Sequence, residues 1–148
     1  MLKDEVDMLR RVPLFAGVEP AKLKLLAFTS NRVRYREGQV LFRQGEEGDA
    51  AYVLLSGSAE ILVGSDDGEI RVAELGPNSI LGEIAILCET SRTATVRASA
   101  PLEALQIRKD HFLRLLKEFP EMTVEIVRVL ASRLSQTTAE LIDARNRL

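Results

Sequence analysis

The stretch Leu81-Gly82-Glu83-Ile84-Ala85-Ile86-Leu87-Cys88-Glu89-Thr90-Ser91-Arg92-Thr93-Ala94-Thr95-Val96 decides how this chain is read. It sets a glycine and an acid at the start of a short helix, crosses a polar turn, and enters a strand at Arg92-Thr93-Ala94. Glycine lets backbone approach a ligand closely, and a helix N-terminus offers unpaired amides, here around Ile84 and Ala85, to an anion. Arginine supplies a planar fork of donors suited to phosphate. A carboxylate does not belong in a site for phosphate alone, because the two repel. Glu83 fits a ligand that also carries a hydroxyl, such as a ribose 2′-OH held close to the phosphate.

Upstream of this stretch the pattern is one of short strands. Val33 and Tyr35 alternate with Arg32, Arg34 and Arg36, the mark of a half-exposed strand. The arginines read as a solvated face rather than a nucleic-acid patch, because Glu37, Glu46 and Glu47 follow closely. Val40-Leu41-Phe42 is the next strand, and Gly45 to Asp49 form a loop before Tyr52-Val53-Leu54-Leu55. Gly57 and Ser58 interrupt that strand, and Ala59 to Val63 resume it. Asp67-Gly68 is a hairpin turn into Ile70 and Val72, and Gly76-Pro77-Asn78 make the last turn. Every glycine but Gly82 reads as a turn residue. Downstream, Thr93 to Arg97 and Leu102 to Ile107 read as two further strands. Glycine-punctuated strands at regular spacing argue for a β-sandwich or jelly roll.

Helices flank this mainly β region. Residues 4–11 form one, with Val6, Leu9 and Val12 near one face and Pro13 closing it. Pro20 opens a second, whose Leu23, Leu26 and Ala27 share a face. Lys109-Asp110 begin a third, carrying Phe112, Leu115 and Leu116 and stopping near Phe119-Pro120. The last starts at Pro120 and meets no further proline or glycine. Thr123, Val127, Leu130, Leu134, Thr137, Leu141, Ala144 and Leu148 follow one another at alternating spacings of four and three, a heptad seam of about 40 Å. In a parallel pair Glu140 at g meets Arg145 at the following e, so a homodimer through residues 120–148 is expected. Thr137 and Thr138 interrupt the seam, and buried hydroxyls cost stability unless they find partners.

The 81–96 stretch, with the strands before it, resembles the phosphate-binding cassette of the cyclic nucleotide-binding domain family. The family pattern, F-G-E-x-A-L, a variable turn, then R-(A/T/S)-A-x-V, is matched at Gly82, Glu83, Ala85, Arg92, Ala94 and Val96, with Leu81 in place of the usual phenylalanine. The resemblance covers about residues 10–145 and implies one jelly-roll (double-stranded β-helix) domain over 1–148. Within it, 1–30 would be N-terminal helices, 31–108 the β-roll, and 109–148 C-terminal helices ending in a dimerisation helix. It implies a regulatory sensor, either stand-alone or part of something longer, that binds a cyclic nucleotide without chemistry. Arg92 would bond the phosphate oxygens with the Ile84 and Ala85 amides and the Thr93 hydroxyl, and Leu81, Gly82 and Ala94 would complete the cassette. Glu83 would accept the ribose 2′-OH.

The run Arg133-Leu134-Ser135-Gln136-Thr137-Thr138 is similar to the central helix of the catabolite activator branch of the family. That likeness would set Thr137 against the base of its own ligand and Thr138 against that of the partner subunit. Thr93 after the cassette arginine is also found in cGMP-dependent kinases, but the helix tilts the expectation toward cAMP over cGMP. The alternative is a dimerisation scaffold of the same fold that binds no ligand.

Composition narrows the other classes. Lys and Arg total 20 against 22 Asp and Glu, a net charge of −2 that does not favour a nucleic-acid surface. No apolar run suits a membrane span, and the acidic start Met1-Leu2-Lys3-Asp4-Glu5 is unlike a signal peptide, so the cytoplasm is expected. The single cysteine, Cys88, excludes an internal disulfide and reads as a small buried or half-buried thiol. A jelly-roll metal enzyme needs several clustered histidines; His111 is the only one, so neither catalysis nor a metal is expected.

Overall fold

The computed structural model describes residues 2–12 and 15–147. The elements run α1 (Leu2–Arg10), α2 (Pro20–Thr29), β1 (Asn31–Tyr35), β2 (Val40–Phe42), β3 (Ala50–Ser56), β4 (Ala59–Ser65), β5 (Gly68–Leu75), β6 (Ile80–Leu81), α3 (Glu83–Leu87), β7 (Thr95–Ala98), β8 (Leu102–Arg108), α4 (Lys109–Glu118) and α5 (Pro120–Asn146). Two four-stranded antiparallel sheets, ordered β1-β8-β3-β6 and β2-β7-β4-β5, stack as a jelly roll with helices against one side. The expected helix stop at Pro13 and seam position Leu148 lie outside the described residues.

The central strands are covered on both faces, which is why they read as unbroken apolar runs rather than alternating ones. On β3, Ala51 and Val53 point to the helices while Ala50, Tyr52 and Leu54 point to the second sheet. β8 divides likewise, Leu105 and Ile107 against Leu102 and Ala104. The helix side is filled by Leu9, Val12, Leu23 and Leu26 from the N-terminal segment and by Phe112, Met122 and Ile126 from α4 and α5.

Three local readings are corrected. Gly57-Ser58 do not interrupt one strand: β3 and β4 belong to different sheets, and the pair is the corner between them. The arginines of β1 are offset not by Glu37, Glu46 or Glu47 but by Glu103 of β8, which accepts from Arg32 Nε at 3.0 Å and lies 2.9 Å from Arg34 Nε. The Arg32 hydrogen bonds in particular hold the Glu103 carboxyl below its usual range. Cys88 is exposed at the C-terminal end of α3, not buried.

α5 is two-faced. Its first turns dock Met122 and Ile126 into the core, 1% and 2% exposed, and the Thr123 hydroxyl donates to Leu116 O at 2.7 Å, tying the helix to the end of α4. The seam residues Val127, Leu134 and Leu141 are 59%, 69% and 69% exposed. Ile126→Ala should therefore destabilise the domain by about 2–5 kcal/mol through the cavity it leaves. Val127→Ala, one residue away, should stay within about 0.5 kcal/mol. Urea denaturation at low protein concentration checks both; comparable losses would show that the two faces are not distinct.

Candidate functional site

One cavity of about 490 Å³ opens between the second sheet, the α3 segment and α5. Leu81, Gly82, Glu83, Ile84, Ala85, Arg92, Thr93, Ala94 and Thr137 all line it, so the structure brings together residues that span more than a third of the chain. Thr93 and Ala94, expected inside a strand, lie in the loop before β7 and form cavity wall instead. Thr138 is exposed on α5 and does not line the cavity of its own chain.

Arg92 is the buried cation of the cavity wall. It is 2% exposed, and its backbone is held on both sides by the 45–46 loop: Gly45 N donates to Arg92 O at 2.8 Å and Arg92 N donates to Glu46 O at 2.7 Å. Its Nη1 donates to Gly82 O at 2.8 Å and its Nη2 to Ala50 O at 2.7 Å. The guanidinium stacks on Phe42, its carbon 4.0 Å from the ring centre. Its nearest carboxylate partner, Asp49 at 3.4 Å, is largely in solvent. Arg92 Nε is buried with no hydrogen-bond partner. A buried donor and a buried charge that are not fully matched are costly, so the pocket is prepared for an anion.

Glycines shape the approach. Gly82 caps α3 at φ 79°, a left-handed conformation, and a Cβ there would sit 2.6 Å from Arg92 Nη1. Gly48 has no unusual φ, but its Cβ would come within 2.5 Å of the Ala85 side chain. Read from sequence as a turn residue, it is in fact what lets the 45–49 loop close behind α3.

Glu83 opens α3 and is only 2% exposed. Its Oε1 accepts from Arg133 Nη1 at 3.1 Å, and Arg133 Nη2 donates to Ile80 O at 3.1 Å. Burial pushes the Glu83 carboxyl up from its usual value, against the opposing pull of its own backbone amide, Arg133 and Arg92. Arg133 carried no role in the sequence reading, since nothing local shows which turn of a long helix will face a site fifty residues away. Gln136 and Glu140, which also line the cavity, were missed for the same reason, while Phe42, Ile61 and Val72 were read only as strand residues.

Residues 32–119 match the family described as the cyclic nucleotide-binding domain. The chain is 30% identical over 138 residues, 93% of its length, to the CRP-like cAMP-activated global transcriptional regulator of Mycobacterium tuberculosis, and covers 62% of that protein. It is 34% identical over 130 residues, 87% of its length, to lysophospholipase nte1 of Neurospora crassa, but covers only 9% of it. The crystal structure of Thermus thermophilus catabolite activator protein superposes with a TM-score of 0.77 at 32% identity, over 87% of this chain and 61% of that one. The chain thus spans less than two thirds of each of these relatives.

The raised Glu83 carboxyl has a stability consequence in the ligand-free protein. A group whose folded pKa lies above its unfolded one contributes stability below the unfolded pKa and loses it as pH rises through the folded pKa. Glu83→Gln removes the charge and keeps an oxygen for Arg133. It should raise Tm at pH 8 relative to the unsubstituted protein, with the gap shrinking as pH falls through the folded pKa. A lower Tm for Glu83→Gln at pH 8 would show that the attraction of Arg133 outweighs burial.

Proposed function

Because the chain belongs to the cyclic nucleotide-binding domain family, we propose that its cavity holds a cyclic nucleotide, cAMP in preference to cGMP, and that the chain is a regulatory sensor module without chemistry of its own. The observation that carries this reading is Arg92: a buried guanidinium stacked on Phe42, with an orphaned Nε, in the wall of the cavity. A single cyclic phosphate supplies the missing acceptor and charge. Glu83, a few residues away and facing the same cavity, accepts the ribose 2′-OH. Thr93 adds a hydroxyl at the rim.

α5 closes the other side. Thr137 on the cavity wall meets the base of its own ligand, and Thr138, turned away, reaches the ligand of a partner subunit. The exposed a-position residues Val127, Leu134 and Leu141 support a homodimer through residues 120–148, since a single chain leaves that stripe in water. The whole of 1–148 acts as one domain in this reading. Among the described residues no helix is long and apolar enough to cross a membrane. The regulator of Mycobacterium tuberculosis is described as cAMP-activated, which favours cAMP here. The lysophospholipase match, confined to 9% of that enzyme, fits a regulatory unit rather than a catalytic one.

A second reading, a scaffold that binds no nucleotide, is favoured by one contact: the chain's own Arg133 engages Glu83, the carboxylate that the first reading gives to the ribose. Calorimetric titration with cAMP and cGMP separates the two. Heat with cAMP, weaker heat with cGMP and much weaker heat with 2′-deoxy-cAMP are expected; silence with all three leaves the scaffold. Equal affinities for cAMP and its 2′-deoxy form would remove the role given to Glu83. Arg92→Ala should weaken cAMP by at least about tenfold, because a hydrogen bond to a charged group contributes about 1.5–3 kcal/mol. Leu134→Glu should shift sedimentation from dimer to monomer; an unchanged dimer would place the interface elsewhere.

A further inference from the structure

β7 pairs with β4 in one register, Ala59↔Ala98, Glu60↔Arg97, Ile61↔Val96 and Leu62↔Thr95. Continued by two residues, that ladder would set Thr93 opposite Gly64. The chain leaves the sheet instead, and Thr93 and Ala94 bend away from β4 to become cavity wall. The Gly64 amide, which a longer β7 would have paired, donates to Gln44 Oε1 at 2.8 Å. A backbone N–H only donates, so the side-chain oxygen of Gln44 is fixed on this side. The Gln44 backbone amide in turn donates to Thr95 Oγ1 at 2.9 Å, a buried hydroxyl on the first residue of β7. Beyond Gln44 the chain runs beside the departing cassette. Gly45 N and Glu46 O hold the Arg92 main chain, and Glu47 bridges to Ser91. Gln44 thus spans the gap that opens between β4 and the cassette.

Resting on the reading that the cavity takes a cyclic nucleotide, we propose that Gln44 is a positioning residue of the site: its side-chain oxygen stands in for the Thr93 carbonyl in the ladder and so keeps the Arg92-Thr93-Ala94 segment on the cavity side. Gln44 does not itself line the cavity, so it acts through the segment and not on the ligand. Without that oxygen the open ladder position has a free donor, and the register offers it the Thr93 carbonyl. Pairing Thr93 with Gly64 lengthens β7, draws Thr93 and Ala94 out of the wall, and pulls on the backbone of Arg92. The contact is exposed, so water competes for it and it weighs as one ordinary hydrogen bond. It biases two arrangements of one loop rather than supporting the fold.

Two substitutions separate this role from simple packing. Gln44→Met keeps the length of the side chain and removes the acceptor, whereas Gln44→Glu keeps an acceptor oxygen. Both retain the backbone amide that bonds Thr95. Calorimetry with cAMP, at moderate salt to screen the added charge, is run on the unsubstituted chain and on both variants. Gln44→Met should bind about three- to tenfold more weakly, the effect of one lost hydrogen bond. Gln44→Glu should stay within about twofold of the unsubstituted chain. A threefold loss by this route means that only about one third of the ligand-free variant keeps the competent loop. Nuclear Overhauser contacts between Gly64 and Thr93 should therefore appear in ligand-free Gln44→Met and be absent from the unsubstituted chain.

Unchanged cAMP affinity in Gln44→Met overturns the inference, even where its Tm falls, since the residue would then serve the fold alone. Equal weakening by Gln44→Glu, or no Gly64–Thr93 contact in Gln44→Met, also overturns it. Each of these leaves the ligand reading intact, because the unsubstituted chain binds cAMP. No binding of cAMP by the unsubstituted chain would instead overturn the ligand reading itself, and this inference with it.

Discussion

The fold is built around one buried positive charge. Arg92 is almost without solvent, and everything near it either satisfies part of its guanidinium or keeps water from it. Gly82 and Ala50 give backbone carbonyls, Phe42 gives a ring face, and the 45–46 loop clamps the arginine main chain. Carbonyl dipoles and a π-face attract a cation without neutralising it, and the exposed Asp49 is a weak counter-charge in high dielectric. The jelly roll thus holds an electrostatic deficit in place by packing. The stability for that comes from the two apolar clusters on either face of β3 and β8, not from the site.

α5 joins this deficit to the surface. Its first half is a core helix, with Met122 and Ile126 buried; its second half runs past the cavity and exposes an apolar stripe. Between the two lies Arg133, the point where the helix touches the cassette. Beyond Met122 and Ile126 the helix is held by the partly buried Val129 and Leu130 and by the two hydrogen bonds of Arg133, to Glu83 Oε1 and Ile80 O.

What the sequence made legible follows from distance along the chain. Gly82, Glu83 and Arg92 were readable because an N-terminal glycine, an acid and an arginine within ten residues constrain one another through local geometry. The heptad periodicity was readable because it is local too: Val127, Leu134 and Leu141 at a are exposed, whereas Leu130 at d packs against the chain's own core. Gly48 was misread because its need for a missing Cβ comes from Ala85, which packs on it from a distant segment, with no positive φ to mark it. Gly57-Ser58 was misread because a corner between sheets and a break within a strand share the same residue types. Arg133, Gln136 and Glu140 were invisible as cavity residues because their role depends on the rotation at which α5 docks, and that is set by Met122 and Ile126 two turns or more earlier.

Glu83 is where site and helix meet thermodynamically. Burial disfavours its charge and Arg133 supports it, so the ionised form and the docked position of α5 stabilise each other. The side chain has two oxygens and only Oε1 is engaged by Arg133, which leaves the other able to accept a hydroxyl without breaking the contact. A donor arriving at that second oxygen favours the ionised carboxylate, and through it strengthens the hold on Arg133. By reciprocity, anything that fixes α5 in place, a partner helix included, must raise affinity for that donor by the same factor. Couplings of this kind amount to about 1–3 kcal/mol, a fivefold change or more in either equilibrium. A coupling of that size through the ion pair between Glu83 and Arg133 would tie the position of the long helix to a donor at that second oxygen.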